Sequence, residues 1–266
     1  MKNILEPEVK IIGSGKPVVI VVGGMHGDEE VGLRVFKKIK CNLIISKGTL
    51  KLVTANRQAL SKGIRFIDSD LNRSFPGNTR GGAEEILATK LTKIVSDCDY
   101  LLDLHSCSVP SPAFCIIRTK NKLKLAKRTN LSNLVIFPLQ KQRGRSLIDQ
   151  VKNGIGLELG AYENLSTTEV GFNSVVNFIS SLGMTKGRKL IPQKLSVFRI
   201  RGNVYRNEGF IRNRRIKNLE FVKKGTVLGR VGKSKMFSER DFYPVLFGQR
   251  SYGNILSFEA EKLYEK

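Results

Sequence analysis

The sequence predicts an α/β fold, in which helices cover a mixed, largely parallel sheet and a small β-rich C-terminal subdomain follows. Over the first 187 residues, short apolar runs alternate with segments whose apolar residues recur at helical spacing. This alternation is typical of a sheet covered by helices. From residue 188 onward the helical spacing is absent, and short β-like runs separated by glycine turns take its place. We therefore expect two units, residues 1–187 and residues 188–266.

The N-terminal part of the chain provides the first strands and helices. Apolar runs predict strands over residues 9–12, 18–22 and 49–55. Apolar stripes at helical spacing predict a helix over residues 29–40 and another over residues 83–96. The segment between them, residues 64–82, is polar and rich in turn-forming residues. We expect this segment to be a long loop.

The remaining elements follow from the same criteria. Further strands are predicted over residues 99–105, 113–118, 133–139 and 154–160. A helix over residues 165–182 would cover the sheet. In the C-terminal unit, the strand-like pieces lie within residues 196–205, 209–213, 220–232 and 243–248.

The composition is globular, and the charge is the one extreme feature. Hydrophobic residues make up 41% and charged residues 26% of the chain, which excludes a disordered protein. The chain has 46 Lys and Arg against 23 Asp and Glu, a net charge of +23. Such a surface attracts nucleic acids, anionic membranes or small acidic molecules. The basic residues are dispersed along the chain, which favours a general cationic field over a nucleic-acid-binding groove.

The sequence also predicts a cytoplasmic location. It contains no apolar stretch near the roughly 20 residues that a membrane-spanning helix needs. Its first ten residues, MKNILEPEVK, place acidic residues and a proline where a signal peptide is apolar. The four cysteines form no C-x-x-C pair, and reduced thiols in the cytoplasm are the simplest interpretation.

The two histidines of the chain lie in similar places. His26 follows the apolar run 18–22, and His105 ends the apolar run 99–105. Functional groups gather at the carboxyl ends of strands in α/β sheets. Glu29 lies three residues after His26, so one turn would bring both side chains together. Two histidines and a carboxylate form a catalytic zinc site, although spacing alone also fits a chance placement with Glu29 as a helix-start acid.

Two further polar sites are candidates for chemistry. Glu158 lies inside the apolar run GLELG, where it is either a buried general base or an edge residue that faces solvent. The loop over residues 64–82 contains Arg65, Asn72 and Arg73. Arginine suits a carboxylate or a developing oxyanion, but a solvated loop arginine is the alternative in a protein this basic.

Four motifs together resemble a known family. GGMHGDE, DLNRSFPG, DLHS and LELG, in this order over the first 160 residues, are similar to the succinylglutamate desuccinylase/aspartoacylase family. This family is a branch of the zinc carboxypeptidase-like hydrolases. The later segment YPVLFGQRSY is more loosely similar to the segment that carries a substrate-contacting tyrosine in aspartoacylases.

The resemblance implies a fold of the zinc carboxypeptidase type, with residues 1–187 as the hydrolase domain, and a role for each matching residue. The implied roles are one zinc ion held by His26, Glu29 and His105, catalysis by Glu158 as general base and by Arg65 as carbonyl-polarising group, and substrate binding by Asn72, Arg73, Arg145 and Tyr252. The match of Arg145 requires a short insertion before Glu158. The chain is shorter than typical aspartoacylases, and the loops between His105 and Glu158 differ from theirs.

The predicted function is therefore zinc-dependent hydrolysis of the amide bond in an N-acyl amino acid or similar carboxylate-bearing amide, by a zinc-activated water. The expected partner is a small acidic substrate. Two alternatives remain open from sequence: a zinc carboxypeptidase or peptide amidase with a larger substrate, and a non-enzymatic binder of nucleic acid or another anionic polymer. The acyl group, the amine and the oligomeric state are not predicted.

Overall fold

A ten-stranded sheet forms the centre of the molecule. The computed structural model describes residues 6–138, 145–164, 166–186 and 194–265. The strands are β1 (Glu8–Ser14), β2 (Val18–Gly23), β3 (Gly48–Thr54), β4 (Tyr100–Cys107), β5 (Phe114–Ile117), β6 (Asn133–Ile136), β7 (Gly154–Ala161), β8 (Ser196–Tyr205), β9 (Phe210–Arg212), β10 (Val227–Val231), β11 (Ser234–Phe237), β12 (Tyr243–Val245) and β13 (Ile255–Glu265). The α-helices are α1 (Val31–Asn42), α2 (Arg57–Lys62), α3 (Ala83–Val95), α4 (Leu123–Lys127) and α5 (Ser166–Ser180).

The large sheet is mixed, and its central strands are mostly parallel. Its strand order is β1-β3-β2-β4-β7-β5-β6-β8-β13-β12. Strands β3, β2, β4 and β7 run parallel to one another, as do β5, β6 and β8. The two edges and the β5–β7 pair are antiparallel. The predicted fold class, an α/β fold with a largely parallel sheet, is confirmed.

The C-terminal part has two components. Strands β9, β10 and β11 form a separate three-stranded antiparallel sheet. Strands β8, β13 and β12 instead extend the large sheet, because β8 pairs in parallel with β6. The predicted boundary between residues 187 and 188 lies outside the described residues.

Helices cover both faces of the sheet, and the alternation of side chains on β2 shows how. Val19 and Val21 pack with residues of α1 and α5, whereas Ile20 and Val22 pack with residues of α3. All four valine and isoleucine side chains are fully buried. A parallel strand buried on both faces has a continuous apolar sequence, which explains the run VVIVV.

Some elements differ from the sequence prediction. The loop after β3 contains α2, whose first turn is capped by the side chain of Asn56 accepting from the backbone of Ala59 at 3.1 Å. Strand β13 was not predicted, because its alternating charged residues obscure an apolar run. Among the described helices, none is long and apolar enough to cross a membrane.

Candidate active site

The candidate site lies where β2, β4 and β7 end. His105 and Glu158 are neighbours in the register between β4 and β7, and His26 follows β2 by three residues. The carboxyl ends of parallel strands meet at one edge of the sheet. The chain turns sharply after β2 because Gly24 adopts a φ of +67°, which favours glycine. The glycines therefore bring His26 back over the end of the sheet.

Gly27 allows a second close approach at this turn. A Cβ atom at position 27 would lie 2.1 Å from the backbone carbon of Ala59, which no side chain tolerates. The Gly27 backbone N–H donates to the carbonyl of Arg65 at 3.1 Å. The loop that carries Arg65 thus packs directly against the turn that carries His26.

His26, Glu29 and His105 form a candidate metal centre. One ligand atom from each lies within 4.8 Å of the others. Nδ1 of His26 is 2.8 Å from one oxygen of the Glu29 carboxylate, and Nδ1 of His105 is 3.2 Å from the other. All three residues are buried. This donor set of two imidazoles and one carboxylate is that of catalytic zinc sites, so the residues fit a zinc ion.

The other nitrogen of each imidazole lies beside both a carboxylate and a side-chain N–H donor, Arg65 at 3.0 Å from His26 and Asn72 at 3.1 Å from His105. Nε2 of His26 lies 3.1 Å from Asp70, and Nε2 of His105 lies 2.9 Å from Asp103. In metal sites such partners fix the tautomer and leave the opposite nitrogen free to bind the ion. Both Nδ1 atoms face the Glu29 carboxylate, so they are the nitrogens placed to share a metal ion with it.

The charges around His26, Glu29 and His105 favour a positive ion between them. Burial alone would raise the pKa of Glu29, but His26 and His105 outweigh it and hold that pKa well below its usual range. Burial also opposes the charged form of His105, yet Asp103 and Glu29 raise its pKa well above the usual value. The carboxylates around the two imidazoles thus favour positive charge at this site, and a divalent cation would supply it.

Glu158 is buried beside this centre rather than exposed at a sheet edge. It is 7% exposed, and the Cys107 thiol donates to its carboxylate at 3.3 Å. Burial raises the pKa of Glu158, and the positive charge of His105 only partly offsets this effect. A carboxylate with a raised pKa is suited to accept and return a proton.

The loop after α2 brings three predicted residues to the site. The Arg65 guanidinium contacts Glu29 at 3.1 Å and Asp70 at 3.2 Å. Asn72 accepts from the backbone of Leu147 at 3.1 Å through its side-chain oxygen. Arg73 is half-buried and donates to the backbone carbonyl of Asn72 at 2.7 Å. Within the described part of the chain, no carboxylate forms an ion pair with Arg73.

The C-terminal segment closes the pocket from the opposite side. Tyr252 lines it, with its ring set edge-on against Phe258 at a centroid distance of 5.0 Å. Burial raises the pKa of Tyr252 well above its usual value. Gln249 fastens the segment, since its side-chain oxygen accepts from the backbone N–H and the hydroxyl of Ser108 at 2.8 and 2.7 Å.

Most of these side chains line one cavity of about 60 Å³. It brings together the residues predicted for the site, with the exception of Arg145, whose side chain is exposed. Backbone contacts hold Arg145 against the chain at Ser74 and Phe75. The pocket contains a different arginine, Arg118, which follows β5.

The comparison with known families agrees with the geometry. The profile of the family described as "Succinylglutamate desuccinylase/Aspartoacylase catalytic domain" matches residues 15–178. The chain belongs to the succinylglutamate desuccinylase/aspartoacylase family. It is thus a member of a family of deacylating, amide-hydrolysing enzymes.

Individual relatives are distant. The chain is 28% identical over 218 residues to an N-alpha-acetyl-L-2,4-diaminobutyric acid deacetylase of Halomonas elongata, with 71% of this chain and 62% of that protein aligned. The chain thus spans less than two thirds of that relative's length. A probable aspartoacylase of Prochlorococcus marinus is 23% identical over 262 residues, which cover 89% of this chain and 80% of that protein.

Solved structures share the fold. A succinylglutamate desuccinylase/aspartoacylase from Rhodobacter sphaeroides superposes with a TM-score of 0.77 at 20% identity, covering 96% of this chain and 89% of that one. Murine aminoacylase 3 has a TM-score of 0.77 at 20% identity, covering 95% of this chain and 98% of that one. The fold shared with these structures therefore extends into the C-terminal part of this chain.

Sequence analysis missed several residues of the site. Asp103 has a usable signal, because it lies two residues before His105 and therefore on the same face of β4. Arg118 and Asp149 have no such signal. They meet only because β5 and the turn before β7 are adjacent in the folded chain, 31 residues apart in sequence.

Proposed function

We propose that the protein is a zinc-dependent amidohydrolase that cleaves the amide bond of an N-acyl amino acid or similar carboxylate-bearing amide. One observation carries this proposal. Three potential zinc ligands with ligand atoms within 4.8 Å lie in the same cavity as a buried carboxylate, Glu158, and an arginine free of carboxylate partners among the described residues, Arg73. The cavity thus combines groups that can bind a metal, transfer a proton and bind a carboxylate.

The metal site would consist of His26, Glu29 and His105. A zinc ion bound there would polarise the substrate carbonyl and lower the pKa of a water molecule toward neutrality. Asp70 and Asp103 orient the imidazoles through Nε2. These contacts keep both Nδ1 atoms directed at the Glu29 carboxylate.

Glu158 would transfer the proton. Its carboxylate accepts a proton from the attacking water and passes it to the nitrogen of the leaving amine. Burial supports this role, because a raised pKa brings the protonated and ionised forms closer in free energy at neutral pH. The neighbouring Cys107 thiol donates to Glu158 and helps to fix the carboxylate in place.

Arginines would bind the anionic parts of the substrate. Arg73 has donors available for a substrate carboxylate, with Asn72 and Tyr252 beside it in the cavity. Arg65 lies close to the metal ligands and is placed to donate to the carbonyl oxygen as negative charge develops there. This division separates binding by Arg73 from transition-state stabilisation by Arg65.

The size of the cavity supports a small substrate rather than a polymer. A volume of about 60 Å³ can enclose a small group, such as one end of an N-acyl amino acid, but not a segment of a polymer. We also propose a cytoplasmic location, which is supported by the four cysteines, none of which forms a disulfide.

The decisive experiment combines metal analysis with a substrate panel. Purified protein should contain one zinc per chain, and it should hydrolyse at least one N-acyl amino acid in a chelator-sensitive reaction that zinc restores. The panel should include short peptides and a duplex-DNA binding assay at several salt concentrations. Cleavage of peptides alone, or salt-sensitive DNA binding without hydrolysis, would contradict the proposed function.

A further inference from the structure

One wall of the cavity contains Arg118, whose positive charge is paired with a carboxylate of the protein. The Arg118 guanidinium donates through Nε and Nη2 to the two oxygens of Asp149, at 2.7 and 3.0 Å. Nη2 also donates to the Ser146 hydroxyl at 2.6 Å, and Nη1 donates to the carbonyl of Phe137 at 3.2 Å. Every nitrogen of the guanidinium therefore has a partner within the protein.

The cavity is also lined by four apolar side chains, Ile116, Phe137, Ile148 and Leu246. The Phe137 ring lies 6.0 Å from the Arg118 guanidinium, and Ile116 and Ile148 are close in sequence to Arg118 and Asp149, so these three side chains and Arg118 form one apolar wall. Gly156 also lines this wall, and a methyl group added there would meet Ile116 and Ile148 at ordinary contact distances of 3.5 to 4.0 Å. The absence of a side chain at position 156 thus leaves space beside the apolar wall.

Arg73 provides the contrast within the same cavity. Its guanidinium contacts a backbone carbonyl, and no carboxylate of the described chain pairs with it. Arg118 is 8% exposed and has a bidentate partner. Apart from Arg65 beside the metal ligands, the cavity therefore has one arginine with donors available for an anionic group and another whose charge is paired with Asp149.

We infer, on the basis of the proposed function, that Arg118 and Asp149 together determine specificity: the substrate has a single carboxylate, and its second recognised group is small, uncharged and apolar. A second carboxylate on this wall would lose its hydration without gaining a free cation, which is unfavourable. An ammonium group would likewise lose its hydration against the apolar side chains without gaining a free carboxylate.

The apolar group belongs either to the acyl chain or to the amino-acid side chain, and isosteric pairs distinguish the two. N-acetyl-L-leucine and N-acetyl-L-aspartate have side chains of similar shape, one neutral and one charged. N-(4-methylpentanoyl)glycine and N-succinylglycine form the same pair for the acyl group. In at least one of these two substrate pairs, kcat/KM for the neutral substrate should exceed that of its charged isostere by about tenfold or more.

N-acetyl-L-2,4-diaminobutyrate adds a basic substrate to the panel. A neutral-to-charged kcat/KM ratio near one in both substrate pairs would overturn the inference. So would a preference for a dicarboxylate or for this basic compound. Either result leaves the proposed deacylase function standing, because it requires hydrolysis.

Asp149→Asn tests the role of the pair directly. The amide can still accept from the Ser146 backbone, as Asp149 does at 2.9 Å, but it no longer cancels the Arg118 charge. The charged-to-neutral kcat/KM ratio should rise about tenfold for the substrate pair whose variable group contacts this wall. The double variant Arg118→Gln/Asp149→Asn is the matched control, and its ratio should show no such rise. An unchanged ratio in Asp149→Asn would refute the assignment.

A second variant protects the test against misfolding of Asp149→Asn. Gly156→Ala introduces no contact shorter than 3.5 Å and should lower kcat/KM for the larger neutral substrate more than for N-acetylglycine. An equal effect on both substrates would show that the apolar wall does not contact the substrate.

Binding of simple acids keeps the inference testable if no member of the panel is hydrolysed. In calorimetric titrations of the zinc-loaded protein, 5-methylhexanoate should bind about tenfold more tightly than its charged isostere glutarate. Asp149→Asn should narrow this difference, and glutarate should raise the Tm of that variant more than the Tm of the unmodified protein. Failure of all hydrolysis would refute the proposed function, whereas tighter binding of glutarate to the unmodified protein would refute the specificity inference.

Discussion

The two sides of the pocket are built in different ways. On the catalytic side, His105 and Glu158 are adjacent in the sheet register, and His26 follows the neighbouring strand. On the opposite wall, Arg118 meets Asp149 through a turn that precedes β7, and Gln249 fastens the C-terminal segment. The catalytic side thus depends on the sheet itself, whereas the opposite wall depends on contacts between loops. The residues proposed for chemistry and those proposed for specificity therefore rest on different kinds of structure.

The largest effect is expected at the metal ligands. His105→Ala leaves two protein ligands for an ion that needs at least three, so bound zinc and hydrolysis should both fall to background. Elemental analysis and the hydrolysis assay measure the two losses. Asn203→Ala, in the C-terminal part and outside the cavity, serves as a control for general effects of substitution. Zinc retained at one per chain in His105→Ala would place the metal elsewhere.

Glu158→Gln should separate chemistry from binding on the catalytic side. The amide preserves the shape of the side chain but cannot accept a proton, so kcat should fall by roughly two to four orders of magnitude. Zinc content should not change, because Glu158 is not among the ligands. Rates near those of the unmodified enzyme would exclude Glu158 as the general base.

Arg73→Ala should affect binding more than chemistry. Loss of a charge-assisted pair of about 1.5 to 3 kcal/mol should raise KM for an N-acyl amino acid about tenfold to a hundredfold. The matched carboxamide substrate should be affected little, and Arg73→Lys should recover only part of the loss. Steady-state kinetics on both substrates provide the test, and equal losses on the two would remove Arg73 from carboxylate binding.

Asp103→Asn should weaken the metal site without removing a ligand. Partners of a metal-binding imidazole typically contribute tenfold to a hundredfold in metal affinity. A competition titration with a zinc-binding dye would measure this loss, with Asp97→Asn as a surface control because Asp97 is itself exposed and pairs with Lys51. Affinity equal to that of the unmodified protein would make Asp103 a structural residue only.

The smallest expected effect is the pH dependence of zinc uptake. Despite the opposing effect of burial, nearby carboxylates raise the pKa of both His26 and His105, so the metal-free imidazoles retain protons to higher pH than free histidine does. Zinc must displace these protons, and its affinity should therefore fall as the pH falls, about tenfold per pH unit for each proton released. Calorimetry in two buffers of different ionisation enthalpy would count the protons, and a count of zero at neutral pH would contradict these shifts.

The success of sequence analysis follows the same division between the two sides. His26, His105 and Glu158 were identifiable because each lies within or just after an apolar strand, a local pattern of a few residues. Arg118 was visible only as the end of a strand, since its partner Asp149 comes from a distant turn. The arginine that the family resemblance suggested, Arg145, has its side chain exposed. The spacing of residues in a sequence does not show where a loop side chain points or which residues it contacts.

Asn72 links the two sides of the pocket. One end of its side chain accepts from the backbone of Leu147, in the turn that carries Asp149, and the other lies 3.1 Å from Nε2 of His105. A graft of residues 145–149 from a relative with another preference would therefore change the support of a metal ligand as well as the wall. Protein engineers should transplant that turn together with residues 70–73 as a single unit.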